Sequence, residues 1–155
     1  MAPKKGDKAP DFSMPSTQGK TVSLKDLAGK KFVLYFYPKD DTPGCTKQAC
    51  NIRDNYAALQ KTGVQLFGVS ADDIDSHHKF IQKFNLPFPL LYDKGAEVAK
   101  QYGSYGEKEF SGRKYTMILR NTYLIDEKGH LAEMWQDVRP ENQTDDLMKV
   151  LQPVK

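Results

Sequence analysis

Cysteine, histidine and long apolar runs are all scarce in this chain of 155 residues, and each scarcity excludes something. Two cysteines cannot build a disulfide scaffold. The three histidines, at 77, 78 and 130, do not combine with Cys45 and Cys50 into a four-ligand spacing, so neither zinc nor any other metal is expected. No apolar run is long enough for a bilayer, and the polar start Met1-Ala2-Pro3-Lys4-Lys5 lacks the apolar core of a secretory signal. The expectation is a cytoplasmic protein without a membrane partner. Charge of one sign is lacking too: 23 basic against 20 acidic residues leave a net charge of +3, too small and too scattered to imply nucleic acid. Repeats, low-complexity tracts and phosphate-binding glycine loops are absent.

What is present is the balance of a globular protein, 39% hydrophobic and 28% charged, read as one domain over residues 1–155. The run from Lys31 to Tyr37 is a buried strand stopped by Pro38, and Val64 to Ser70 is another. Val22 and Leu24 belong to a small N-terminal hairpin. Helices are expected over Pro43 to Lys61, Asp75 to Asn85, Ala96 to Tyr102 and Thr144 to Leu151, the last offering Leu147, Val150 and Leu151 to the core. Leu90 to Tyr92 is a short extended segment. Thr122 to Asp126 and His130 to Trp135 flank the turn Glu127-Lys128-Gly129 as a hairpin. A parallel crossover followed by an antiparallel pair gives an α/β chain with a mixed central sheet flanked by helices, the thioredoxin-like fold. Lys108 to Tyr115 reads as a solvated loop, His77 as a boundary histidine, and Asp40-Asp41, Asp72-Asp73 and Asp145-Asp146 as helix-start or solvent-facing charges.

The segment Pro38-Lys39-Asp40-Asp41-Thr42-Pro43-Gly44-Cys45 carries the chemistry. Thr42 is placed as a helix N-cap, Pro43 as the first helical residue, and Cys45 two residues further on. A thiol there meets amides that no helical carbonyl can satisfy, at the positive end of the helix dipole, and both effects favour the nucleophilic thiolate. Ionisation alone is a modest lever. An ordinary thiol is about 3% ionised at neutral pH, so complete ionisation gains at most roughly 30-fold, about 2 kcal/mol. A fast nucleophilic thiol therefore also needs fixed donors that meet charge in the transition state.

These residues resemble the peroxiredoxins, in particular the bacterioferritin comigratory protein or PrxQ subgroup. The signature of Pro, three residues, Thr or Ser, two residues, Cys is met by Pro38, Thr42 and Cys45. The likeness extends to Tyr35-Phe36-Tyr37-Pro38, to Cys50, to Arg120 ahead of Tyr123-Leu124-Ile125-Asp126, to Gly6-Asp7-Lys8-Ala9-Pro10-Asp11-Phe12 and to Gly106-Glu107-Lys108. One departure is Tyr105, where many relatives carry tryptophan, which bears on packing at the substrate side.

The resemblance implies a thioredoxin-like peroxidase that reduces hydrogen peroxide and organic hydroperoxides with no cofactor. Cys45 is then the peroxidatic cysteine, oxidised to a sulfenic acid, and Cys50 the resolving cysteine that closes a Cys45–Cys50 disulfide. Arg120, the Thr42 hydroxyl and the amides at Gly44 and Cys45 hold the peroxide, while Pro38 shapes and shields the site. A thioredoxin or glutaredoxin-type donor reduces the disulfide, and a monomer suffices because both cysteines share one helix. Two other readings stay open on the residues alone. A thiol-disulfide oxidoreductase on protein substrates calls for two residues between its cysteines rather than four. A non-catalytic binding module on the same fold calls for an unreactive Cys45.

Overall fold

The structure, a computed structural model, describes residues 2–151. Its centre is the strand β3 (Phe32–Phe36), flanked on one edge by β4 (Gln65–Ser70) and β5 (Leu90–Tyr92) and on the other by β8 (Thr122–Ile125) and β9 (Leu131–Trp135). The order is β5-β4-β3-β8-β9; β3 pairs parallel with β4 and β4 with β5, while β8 runs antiparallel to both β3 and β9. This is the mixed sheet expected from the sequence. Period-two alternation divides β3 between two cores. Phe32, Leu34 and Phe36 face a layer containing β1 (Ser13–Pro15), β2 (Thr21–Ser23) and α4 (Glu97–Tyr102). Val33 and Tyr35, with Tyr37 just beyond the strand, face α1 (Pro43–Asp54), α2 (Tyr56–Gln60), α3 (Ile74–Phe84) and α5 (Gln143–Met148). A central strand buried on both faces needs an unbroken apolar run, which is what Phe32 to Tyr37 supplies.

Three expectations change. The single helix expected over 43–61 is two, α1 and α2, parted at Asn55. There the side-chain Nδ2 donates to the Asn51 carbonyl at 2.8 Å, taking the acceptor that continued helix would use, while the backbone N–H turns to Ile52. The expected loop over Lys108–Tyr115 lies within a hairpin of β6 (Tyr105–Phe110) and β7 (Arg113–Ile118). Its two-residue turn, Ser111-Gly112, has φ of 51° and 79°, the left-handed pair that matches strand twist. Val150 is 42% exposed, because α5 ends at Met148; Leu147 and Leu151 are in the core as expected.

The helix α3 ends where the sequence placed it, on Asn85 in the left-handed conformation (φ 57°), and starts with Asp73 accepting from the Ser76 amide at 2.9 Å. Gly68 on β4 leaves room for Tyr35: a Cβ there would come within 2.8 Å of the Tyr35 ring and hydroxyl. Among the described residues no helix is long and apolar enough to cross a membrane.

Candidate active site

Residues 37–42 leave β3 and deliver the chain to the start of α1. Thr42 occupies the N-cap position (φ −100°, ψ 157°) and Pro43 the first helical one, as the sequence implied. The Thr42 hydroxyl, however, caps nothing: Oγ1 donates to the Lys39 carbonyl at 2.9 Å, closing the loop on itself. The first helical bond runs from the Thr46 N–H to the Thr42 carbonyl at 2.8 Å, so the amides of Gly44 and Cys45 precede the helical ladder. Cys45 is 2% exposed and packs with Tyr35 and Tyr37; Cys50, also a free thiol, lies further along α1 and is half-buried.

Across from this helix start stands Arg120, directly ahead of β8. Its Nη1 lies 3.5 Å from Cys45 Sγ and donates to Gln48 Oε1 at 2.8 Å. Gly44 makes the approach possible, because a Cβ at that position would sit 2.9 Å from Arg120 Nη2. Cys45, Gly44 and Arg120 thus come together. Pro38 is half-buried at the opening of the loop. A thiol beside a guanidinium and the amides of a helix mouth sits where a charge forming on a neighbouring oxygen meets donors.

These features coincide with a known family. A family model described as AhpC/TSA matches residues 5–134. The chain belongs to that family. It is 43% identical over 142 residues to peroxiredoxin Bcp of Escherichia coli, covering 92% of this chain and 91% of that one. With peroxiredoxin Bcp of Bacillus subtilis it shares 40% over 146 residues, covering 94% and 93%. A solved structure of the Xanthomonas campestris bacterioferritin comigratory protein, described in terms of alkyl peroxide reduction, superposes with a TM-score of 0.82 at 29% identity, covering 89% of this chain and 88% of that one. The chain is therefore a peroxiredoxin of the Bcp/PrxQ kind, a thiol-dependent peroxidase on a thioredoxin-like fold.

Around this peroxiredoxin site lie polar residues that the sequence did not single out. Gln48, Gln143 and Thr122 are fully buried; Gln48 Nε2 donates to Gln143 Oε1 at 2.7 Å, and Thr122 Oγ1 donates to the same oxygen at 2.7 Å. Gln48 was legible in principle, since it stands three residues after Cys45 on the same helical face. Nothing local marks Gln143.

His77 and Asp40 correct the sequence reading outright. The imidazole is fully buried: Nδ1 is 2.7 Å from Asp40 Oδ2 and Nε2 is 2.9 Å from the Leu91 carbonyl. Both ring nitrogens thus meet oxygen, and the imidazole ties the loop ahead of α1 to β5. Asp40, expected as a helix-start or solvent-facing charge, is 7% exposed, accepts from Tyr37 Oη and Ser76 Oγ and pairs with His77. Its own amide donates to Asp72 Oδ2 at 2.8 Å, so Asp72 is structural as well. Burial, reinforced by the Asp40 charge, holds the Tyr37 phenol well above its ordinary range, so it remains the donor in that bond. Burial likewise raises the Tyr35 phenol, with the charges of Cys45 and Asp40 adding and that of Arg120 opposing.

Proposed function

We propose that Cys45 is the peroxidatic cysteine of this thiol peroxidase, acting on hydrogen peroxide and on organic hydroperoxides. The observation that carries the reading is the Arg120 guanidinium 3.5 Å from a thiol at a helix mouth. The Cys45 thiolate attacks one peroxide oxygen, the O–O bond breaks, and the departing oxygen takes a proton to leave as water or an alcohol, so that Cys45 becomes a sulfenic acid. Arg120 and the Gly44 and Cys45 amides meet the charge on the leaving oxygen. Thr42, its proton committed to Lys39, presents oxygen lone pairs towards the peroxide O–H, and Pro38 shields the thiol from bulk water.

Cys50 resolves the intermediate: its sulfur attacks the sulfenic acid, water leaves, and a Cys45–Cys50 disulfide forms. In intact helix, five residues span about 7.5 Å of rise and turn about 140° further round, whereas a disulfide tolerates Cα atoms up to about 7 Å apart. Because α1 runs unbroken through both cysteines, its start must unwind for the bond to close. Two electrons from a thioredoxin or glutaredoxin-type dithiol then regenerate the thiols. Both cysteines lie on one element, so the chain serves as a monomer and as one catalytic domain; the cytoplasm, reducing by default, suits the cycle. Organic hydroperoxides follow from the alkyl peroxide reduction described for the Xanthomonas campestris relative.

Stopped-flow oxidation by hydrogen peroxide tests the assignment. Cys45→Ser is expected to abolish the fast phase, and its persistence would overturn the reading. Cys50→Ser is expected to keep that phase and to accumulate sulfenic or overoxidised Cys45; unchanged turnover with a dithiol would remove Cys50 from the cycle.

A further inference from the structure

The relay behind Arg120 has only one self-consistent polarity. A guanidinium has donors and no acceptor, so Gln48 must turn its oxygen to Arg120, as the 2.8 Å contact records. Its amide nitrogen then faces Gln143, which must present oxygen in return, and Thr122 donates to that same oxygen. The consequence falls on Gln143 Nε2, which is buried and finds no acceptor among the described residues. A buried amide with an unmatched end calls for an explanation. Docking of α5 on α1 does not supply it, because Thr144 already joins these helices through its N–H and hydroxyl to Asn51 Oδ1, at 2.9 and 2.8 Å.

We propose that Gln143 is a positioning residue for the peroxidase reaction, holding Gln48, and through it Arg120, at the Cys45 sulfur, and that the same bond opposes unwinding of α1. The second half rests on the Cys45–Cys50 reading above. Gln48 lies between the two cysteines, so the segment that must leave the helix carries it away from both partners. Its bonds to Arg120 and Gln143 then break together. The relay therefore favours the intact helix, in which Arg120 faces the sulfur, and resists the state in which Cys50 reaches it. One residue on a distant helix thus speeds the first step and slows the second.

The test measures the two steps separately in the full chain, with sulfenate formation followed in a Cys50→Ser background and disulfide closure by quenched mass analysis as the loss of two hydrogens. Gln143→Leu, which removes the acceptor, is expected to slow the first step about tenfold and to speed the second several-fold. Gln143→Glu, which keeps an acceptor oxygen there, is expected to restore both to within about threefold of the original. Opposite signs that Gln143→Glu reverses are the signature, since general loosening of the fold is not undone by returning one acceptor oxygen. If Gln143→Leu does not fold, Thr122→Val, which frees one side of the same oxygen, carries the test with shifts of about threefold in the same two directions. Rates that stay unchanged, or move together, in a folded variant overturn the proposal while leaving the cycle intact. An unmutated chain that never loses two hydrogens overturns the cycle and the proposal with it.

Discussion

Two buried polar clusters flank the loop that delivers Cys45, and they are built on opposite plans. One runs towards the sulfur: Arg120, Gln48, Gln143 and Thr122 form a relay with a guanidinium at one end and an unmatched amide at the other. The other runs away from it: Asp40 gathers Tyr37, Ser76 and His77, and His77 continues to the Leu91 carbonyl on β5. In the second cluster the Asp40 carboxylate and both His77 nitrogens are engaged, and all its partners lie outside the segment between the cysteines. Full satisfaction makes a rigid anchor, whereas a relay routed through Gln48, which leaves the helix in the proposed cycle, acts in that cycle as a latch. The loop is thus nailed down upstream, at Asp40, and in the proposed cycle it is released downstream, from Gly44 onward.

Breaking the anchor should give the largest effect, and on stability. His77→Leu leaves the buried Asp40 carboxyl and the Leu91 carbonyl without the imidazole that meets both, which costs about 1–3 kcal/mol for each group left unpaired. Urea or thermal unfolding measures it. Where the variant remains folded, its rate of Cys45 oxidation should stay within a few-fold of the original. A loss of rate as large as that of an Arg120 variant, with the fold intact, would show that the two clusters do not divide their labour.

Arg120→Ala is the mirror experiment. Loss of a fixed donor to a developing anion costs about 100- to 1,000-fold in rate, roughly 3–4 kcal/mol of barrier. Stability should fall by about 1–3 kcal/mol, since the side chain is half-buried and its loss chiefly leaves the buried Gln48 oxygen unmet. Gly44→Ala sharpens the point with a smaller change. The new methyl sits 2.9 Å from Arg120 Nη2, a flexible end that must swing away, so oxidation should slow about tenfold. Alanine is the better helix former by up to about 1 kcal/mol, so the same variant should unfold no more readily than the original. A slower and no less stable enzyme is what a site governed by Arg120 placement requires.

How far the sequence foretold this division depends on where the information lies. The sheet was legible because a strand buried on both faces must be an unbroken apolar run, and Phe32 to Tyr37 is one. The helix mouth was legible because Thr42, Pro43 and Cys45 are local punctuation. Arg120 came only by resemblance, because nothing next to it says that β8 runs beside α1. His77 and Asp40 were misread for the same reason: each is ordinary among its neighbours, and the pairing exists only once α3 packs over the β3–α1 loop. Ser111-Gly112 is a different kind of miss, a turn signal present in the sequence but outweighed by the charges around it.

A surface ion pair, outside both clusters, sets the zero of the comparison. Lys108 Nζ lies 2.6 Å from Asp137 Oδ1, joining β6 to the segment after β9, with side chains 40% and 79% exposed. The lysine holds the Asp137 carboxyl below its ordinary value, first through the hydrogen bond and then through its charge. In the window between that lowered value and the ordinary carboxylate range the folded chain binds fewer protons than the unfolded one, so the pair's contribution is present at neutral pH and is lost as pH falls through the window. Water and salt screen a pair this exposed, so Lys108→Ala should change stability at neutral pH by no more than about 0.5 kcal/mol, and that small difference should vanish in acid. Unfolding curves at neutral and acid pH measure both. An effect approaching that of His77→Leu would mean that burial is not what separates the anchor from an ordinary surface pair, and the contrast between the clusters would lose its physical basis.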